Sequence, residues 1–170
     1  EIGGLLAKGG MGEVYRARRI LLGDEVVIKV IRTSGGDAGR MRERFMRESR
    51  LCAKLRHPNI VTILDFAVAA DGQPYLVMEY LNGPSLRDLL ASSGPMPIGE
   101  VQGILGPLCG ALRLAHDAGV VHRDLKPGNI VSHRFESAEV VFKVIDFGLA
   151  SLREDAGGQL TGGDEFMGTV

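Results

Sequence analysis

The stretch VVHRDLKPGNIV, residues 120 to 131, sets His122, Arg123, Asp124, Lys126 and Asn129 between two apolar pairs. Unpaired polar groups in an apolar interior cost several kcal/mol, on the order of a lost fold, so a knot of this kind must face a cleft. The flanking pairs, Val120 with Val121 and Ile130 with Val131, then anchor the loop. Side chains of these types gathered in a cleft do charge and proton chemistry. A second signal is Lys29 in EVVIKVI, an ammonium set among apolar neighbours. A third is Glu48, in the middle of the stripe Met41, Phe45, Glu48, Cys52, Leu55. A carboxylate on a buried helix face needs a cation, and Lys29 is the expected partner. A fourth is Asp146, which directly follows the apolar run VVFKVI.

The elements that position these residues follow from period and punctuation. EVVIKVI has the period of two of a strand, with Val27, Lys29 and Ile31 on one face. The stretch from Leu5 through the glycine turn to EVYRARR reads as a hairpin, and IVTILDF and PYLVMEY as two strands joined across AADGQ. The stripe from Met41 to Leu55 is an amphipathic helix. SLRDLLASS predicts a short helix and IGEVQGILGPLCGALRLAHDAG a longer one ending at Gly119. Pro107 is expected to kink it, because proline costs about 3 kcal/mol in a helix interior. From Ser151 onward the chain is glycine-rich and aperiodic and reads as an exposed loop. The fold class is therefore α+β, a five-stranded, mostly antiparallel sheet with one helix, followed by a mostly helical part.

Bulk properties narrow the field. With 45% hydrophobic and 24% charged residues in 170, the composition is that of a globular domain or part of one. A formal net charge of -1 gives no general attraction to nucleic acid or to an anionic membrane. No apolar run reaches the roughly 18 to 20 residues of a membrane span, and no signal-peptide pattern opens the chain. Cys52 and Cys109, without close-spaced Cys or His ligands, argue against zinc and a disulfide framework and for a reducing, cytoplasmic compartment.

GGMGEVY, VVIK, a helical Glu, HRDLKPGN and DFG occur in that order, and as a set they resemble the protein kinase family over nearly the whole chain. The resemblance implies a two-lobed fold, with residues 1–81 as the N-lobe and hinge and 82–170 as a partial C-lobe. It implies ATP and Mg2+ as cofactors and a protein with an acceptor Ser or Thr as partner. The loop of Gly9 and Gly12 would fold over phosphates, with Ala7 standing where the family has its first glycine, a departure that stiffens the loop. Lys29 would hold the α- and β-phosphates while pairing with Glu48. Asp124 would receive or orient the substrate hydroxyl, and Lys126 would neutralise charge on the transferring phosphoryl group. Asn129 and Asp146 would ligate magnesium. Leu6, Val14, Val27 and Val131 would enclose adenine, Met78 would guard the pocket behind it, and backbone groups of Glu79 and Leu81 would bond its edge. Val27 replaces the usual alanine and narrows that pocket. His122 takes a scaffold role in the family.

Lys126 gives the loop a serine/threonine-kinase pattern, and GGMGEVYRA and HPNIV are similar to bacterial eukaryotic-like members. Arg123 would dock a phosphate on the activation loop, for which Thr161 is the first candidate and Ser151 the lesser one. Thr169 resembles the threonine that contacts the catalytic Asp and Lys. An A-P-E motif does not follow in this sequence, so the stretch by itself is expected to bind nucleotide weakly and catalyse poorly. Two alternatives stay open: a pseudokinase that binds nucleotide as a regulatory module, and a small-molecule phosphotransferase on the same scaffold.

Overall fold

A computed structural model describes residues 1–9, 12–32 and 38–147. The first half is a single antiparallel sheet of β1 (Ile2–Gly9), β2 (Gly12–Arg18), β3 (Glu25–Ile31), β4 (Ile63–Val68) and β5 (Pro74–Glu79), in the order β1-β2-β3-β5-β4. Between β3 and β4 the chain makes helix α1 (Ala38–Cys52). Met41, Phe45 and Cys52 of its stripe are buried as the spacing predicts, but Ser49 takes the buried middle in place of Glu48 and Leu55 lies past the helix end. Met41 and Phe45 close on Ile31 and Leu76 of the sheet, with Ile63 and Phe66 beside them. One face of the sheet thus loses water to α1, at about 25 cal/mol per Å² of apolar surface.

The second half holds α2 (Leu86–Ser93), α3 (Ile98–Asp117), a 3₁₀ turn at Pro127–Asn129, and the hairpin of β6 (Ile130–Arg134) and β7 (Val140–Val144). Helix α2 starts at a capping box, in which Ser85 Oγ accepts the Asp88 N–H and the Asp88 carboxylate accepts the Ser85 N–H. The Ser85 hydroxyl, which donates to the Asp88 carboxylate at 2.6 Å, and then the Ser85 N–H hold the Asp88 carboxyl below its usual range. The core here gathers Leu108, Ala111 and Ala115 of α3 with Val120, Ile130, Val144 and Phe147. Cys52, Leu55 and Ile60 belong to the same cluster, so the end of α1 and the chain after it tie the halves together.

Three expectations are refined. Helix α3 is continuous through Pro107, and Gly103, Gly106 and Pro107 lie on its exposed face, where water can take the carbonyl that proline leaves without a donor. Strand β4 begins at Ile63 rather than at Ile60. Residues 59–61 instead bond to β7: the Val144 N–H donates to Asn59 O at 2.8 Å and the Val61 N–H to Val144 O at 3.0 Å. Strand β6 is an addition. Its five residues, IVSHR, are too short and too polar to announce a strand.

Candidate functional site

The period of β3 sends Val27 and Lys29 to the side of the sheet that faces a crevice between the halves. Leu6, Val14, Met78, Glu79, Leu81, Val131 and Asp146 line the same crevice, so the sequence-derived apolar set meets in one place. Val61, Tyr80 and Ile145 complete the lining and were not anticipated. Register explains part of this, since Val27 lies opposite Met78, and Lys29 opposite Leu76, across the β3–β5 ladder.

Ala7, Gly9 and Gly12 lie apart from that lining, at the β1–β2 turn, where Ala7 pairs with Val14 and Gly9 with Gly12. Gly12 is required for a local reason. Its φ is +140°, and a Cβ would fall 1.8 Å from the carbonyl oxygen of Val30 on the neighbouring strand.

The loop after α3 forms a compact polar corner. Lys126 Nζ contacts both carboxylate oxygens of Asp124, at 3.0 and 2.8 Å. Asn129, buried, donates its amide N–H to the Asp124 carbonyl at 2.7 Å, which leaves its own side-chain oxygen as an acceptor. The Asn129 carbonyl in turn accepts the Ile145 N–H at 2.9 Å, so Asp146 is the residue after one fastened to the loop. Arg123 and Asp146 have φ of +63° and +66°, a region that costs energy for residues with a Cβ and that recurs at functional sites.

His122 is a scaffold member. Its Nδ1 accepts the Asp124 N–H at 3.3 Å, so its Nε2 carries the proton and donates to the Ile145 carbonyl at 2.8 Å. Its ring packs edge-on against Phe147, with centroids 4.9 Å apart. Burial, the dominant influence, lowers its pKa below 6.5, against the pull of the Ile145 carbonyl and the nearby carboxylates.

The expected Lys29–Glu48 pair is not the one that forms. Lys29 Nζ lies 2.7 Å from Asp146 Oδ1, whereas the Glu48 carboxylate meets Arg47 at 3.2 Å. Lys29 is the more deeply buried group, and an ammonium taken out of water needs its nearest carboxylate at contact distance. Asp146 supplies it. Glu48, at the margin of the α1 stripe, keeps partial access to water.

A second ion pair, with its lysine buried and its carboxylate half-buried, was missed. Lys143 Nζ contacts both oxygens of Glu79, at 2.7 and 2.9 Å. The signal was present in VVFKVI, a lysine inside an apolar strand like the one that singled out Lys29. Glu79 also donates its N–H to the Thr62 carbonyl, so a ligand at the hinge could use only its carbonyl oxygen. Thr161, Thr169 and Ser151 lie outside the described residues.

Comparisons with known proteins agree with this geometry. The family model described as protein kinase domain matches residues 1–169. A probable serine/threonine-protein kinase of Corynebacterium efficiens is 39% identical over all of this chain and 26% of its own length. The kinase pkn3 of Myxococcus xanthus is 40% identical over 97% of this chain and 30% of its own. The chain thus spans between a quarter and a third of the length of these curated relatives. A crystal structure of the Mycobacterium tuberculosis PknI kinase domain superposes with a TM-score of 0.74 at 32% identity, covering 87% of this chain and 60% of that one. With an ordered motif set, a five-stranded sheet over a helical half and a family model spanning nearly every residue, the chain belongs to the protein kinase domain family.

Proposed function

We propose that this chain is the nucleotide-binding and catalytic front of an ATP-dependent serine/threonine protein kinase, which moves the γ-phosphoryl group of ATP to a protein hydroxyl. The observation that carries the reading is that Lys29 and Asp146 pair in the lining of an apolar crevice, while the corner of Asp124, Lys126 and Asn129 is fastened through Asn129 to Ile145, the residue before Asp146. The names of the bacterial relatives, serine/threonine-protein kinases, support the same reaction class.

In this reading the apolar walls from Leu6, Val14, Val27 and Val131 take adenine out of water, and hinge backbone at Glu79 and Leu81 bonds its edge. Asp124 accepts the proton of the attacking hydroxyl or orients it. Lys126, held against that carboxylate, swings to the phosphoryl group as negative charge develops. Asn129 and Asp146 offer two oxygen donors, a set that fits Mg2+, which keeps water and phosphate oxygens for its remaining positions. Bound there, the ion would neutralise phosphate charge. Residues 1–81 would serve as the N-lobe and hinge and 82–170 as the front of the C-lobe, with Arg123 docking a phosphate on Thr161 and Thr169 steadying Asp124 and Lys126. No helix among the described residues is long and apolar enough to cross a membrane, and the two unpaired cysteines suit a reducing, cytoplasmic setting.

The test is transfer of labelled γ-phosphate from ATP to peptide or protein acceptors by the full-length protein, compared with Asp124→Asn. Activity lost by at least a hundredfold in the variant supports the reading, and a variant as active as wild type removes Asp124 from the reaction. A regulatory nucleotide-binding module is the second reading, favoured by the Lys29–Asp146 contact, which occupies both groups with each other. Nucleotide binding without any transfer would select it.

A further inference from the structure

Lys143 stands inside β7, is 6% exposed, and reaches a carboxylate 64 residues earlier in the chain. That carboxylate, Glu79, also accepts the Thr62 N–H at 2.7 Å, while the Glu79 N–H goes to the Thr62 carbonyl at 3.1 Å. The residue at the start of the hinge is therefore fixed by its backbone and its side chain together. Strand β7 is itself bound to the segment that leads to Thr62, through Asn59 and Val61 on either side of Val144. Three residues beyond Lys143 comes Asp146, roughly 10 Å further along extended chain.

An apolar pair would fill this gap at lower cost, since the attraction between two ions offsets only part of the hydration that they give up. What two charge-assisted bonds to one carboxylate add is a defined distance and direction. The pair joins the hinge edge of the crevice to the strand that delivers the metal-end carboxylate.

We propose that Lys143 is a positioning residue for the nucleotide: by clasping Glu79 it fixes the span between the hinge and Asp146, so that both ends of a nucleoside triphosphate with its metal are met at once. The inference rests on the kinase reading and deepens it. A ligand that touches only the hinge has no need of the span. Adenosine is such a ligand, and magnesium-ATP is not.

Calorimetric titration of the full-length protein with each of the two separates the cases. For Lys143→Met, the Kd for magnesium-ATP rises about tenfold while that for adenosine stays within twofold; the KM for ATP follows, kcat changes less than threefold, and Lys143→Arg restores most of the loss. Because Lys143→Met leaves a half-buried carboxylate without its cation, the Lys143→Met/Glu79→Gln double variant is measured beside it, with thermal unfolding to confirm that it folds. The double variant keeps the selective loss of magnesium-ATP if the clasp sets the span. Full recovery of ATP binding in the double variant, equal weakening of adenosine and ATP, or no change in either would each overturn the proposal. Wild-type protein that binds both ligands yet transfers no phosphate would refute the kinase reading alone, leaving the binding comparison to decide on Lys143.

Discussion

Lys29 Nζ sits 2.7 Å from Asp146 Oδ1, an ion pair that closes the crevice between β3 and the second residue after β7, while Glu48 is turned to Arg47. Removing one partner of a buried pair costs about 3–5 kcal/mol, because the other charge is left without compensation. The side chain of Asp146 is 22% exposed, which points to the lower end of that range. Asp146→Ala should therefore lower unfolding free energy by about 3 kcal/mol in urea titrations without nucleotide. Glu48→Gln breaks a contact with the sequence neighbour Arg47, whose side chain is 71% exposed, and should cost less than about 1 kcal/mol. Greater destabilisation by Glu48→Gln than by Asp146→Ala would mean that Glu48, not Asp146, compensates Lys29.

The chain just after the hinge makes an independent prediction through Gly83. Its N–H donates to the Ser132 carbonyl at 3.1 Å, and a Cβ placed on it would lie 2.3 Å from Ser132 Oγ and 2.6 Å from Ser132 O. Ser132 cannot retreat easily, because its N–H and its hydroxyl both donate to the Pro84 carbonyl. Gly83→Ala should destabilise the protein by about 1–3 kcal/mol, the usual cost of overpacking, and raise the KM for ATP. The contrast is Gly103→Ala, at an exposed site inside α3 where a Cβ meets nothing within 4 Å. That change should stabilise by about 0.5–1 kcal/mol. Thermal denaturation of the two variants side by side gives the sign of each.

What the sequence disclosed and what it hid divide along a physical line. Period and punctuation reveal a residue's face and its element, so Val27 with Lys29 on one face of β3, the α1 helix and the short helix at SLRDLLASS were all legible. They do not reveal which of two carboxylates an ammonium will choose, because that depends on how the halves dock. Lys29 meeting Asp146 rather than Glu48 is such a choice. The displacement of β4 to Ile63 has the same origin, since Ile60 and Val61 have strand character but are claimed by β7, which lies more than 80 residues later. Lys143 differs in kind. Its signal was as strong as that of Lys29, and only the family motif drew attention to one and not the other.

His122 carries a pH prediction. Burial depresses its folded pKa below the ordinary 6.5, so the unfolded chain binds a proton more readily than the folded one. Stability from this group is complete above pH 6.5 and is lost as pH falls from there through the folded pKa. Protonation would also put a donor at Nδ1, opposite the Asp124 N–H that now donates to it. Unfolding midpoints measured from pH 7.5 downward should therefore fall once the pH passes below about 6.5, and His122→Gln should flatten that part of the curve. A slope unchanged in the variant would assign it to the carboxylates instead.

The two cysteines should separate cleanly by reactivity. Cys52 is buried at the end of α1, and its thiol donates to the Phe147 carbonyl at 3.3 Å, tying the helix to the residue after Asp146. Burial, with the Glu48 charge adding to it, pushes the Cys52 thiol up to about 12. At pH 8 its thiolate fraction is then on the order of one in ten thousand, and the thiolate is the nucleophile. Cys109 is exposed on α3. A short iodoacetamide pulse on the native protein, followed by peptide mapping, should label Cys109 and leave Cys52 unmodified, with both labelled in denaturant. Comparable labelling of both in the native state would mean that α1 parts from Phe147 often enough to expose the thiol, and that the contact between them is not a standing feature of the fold.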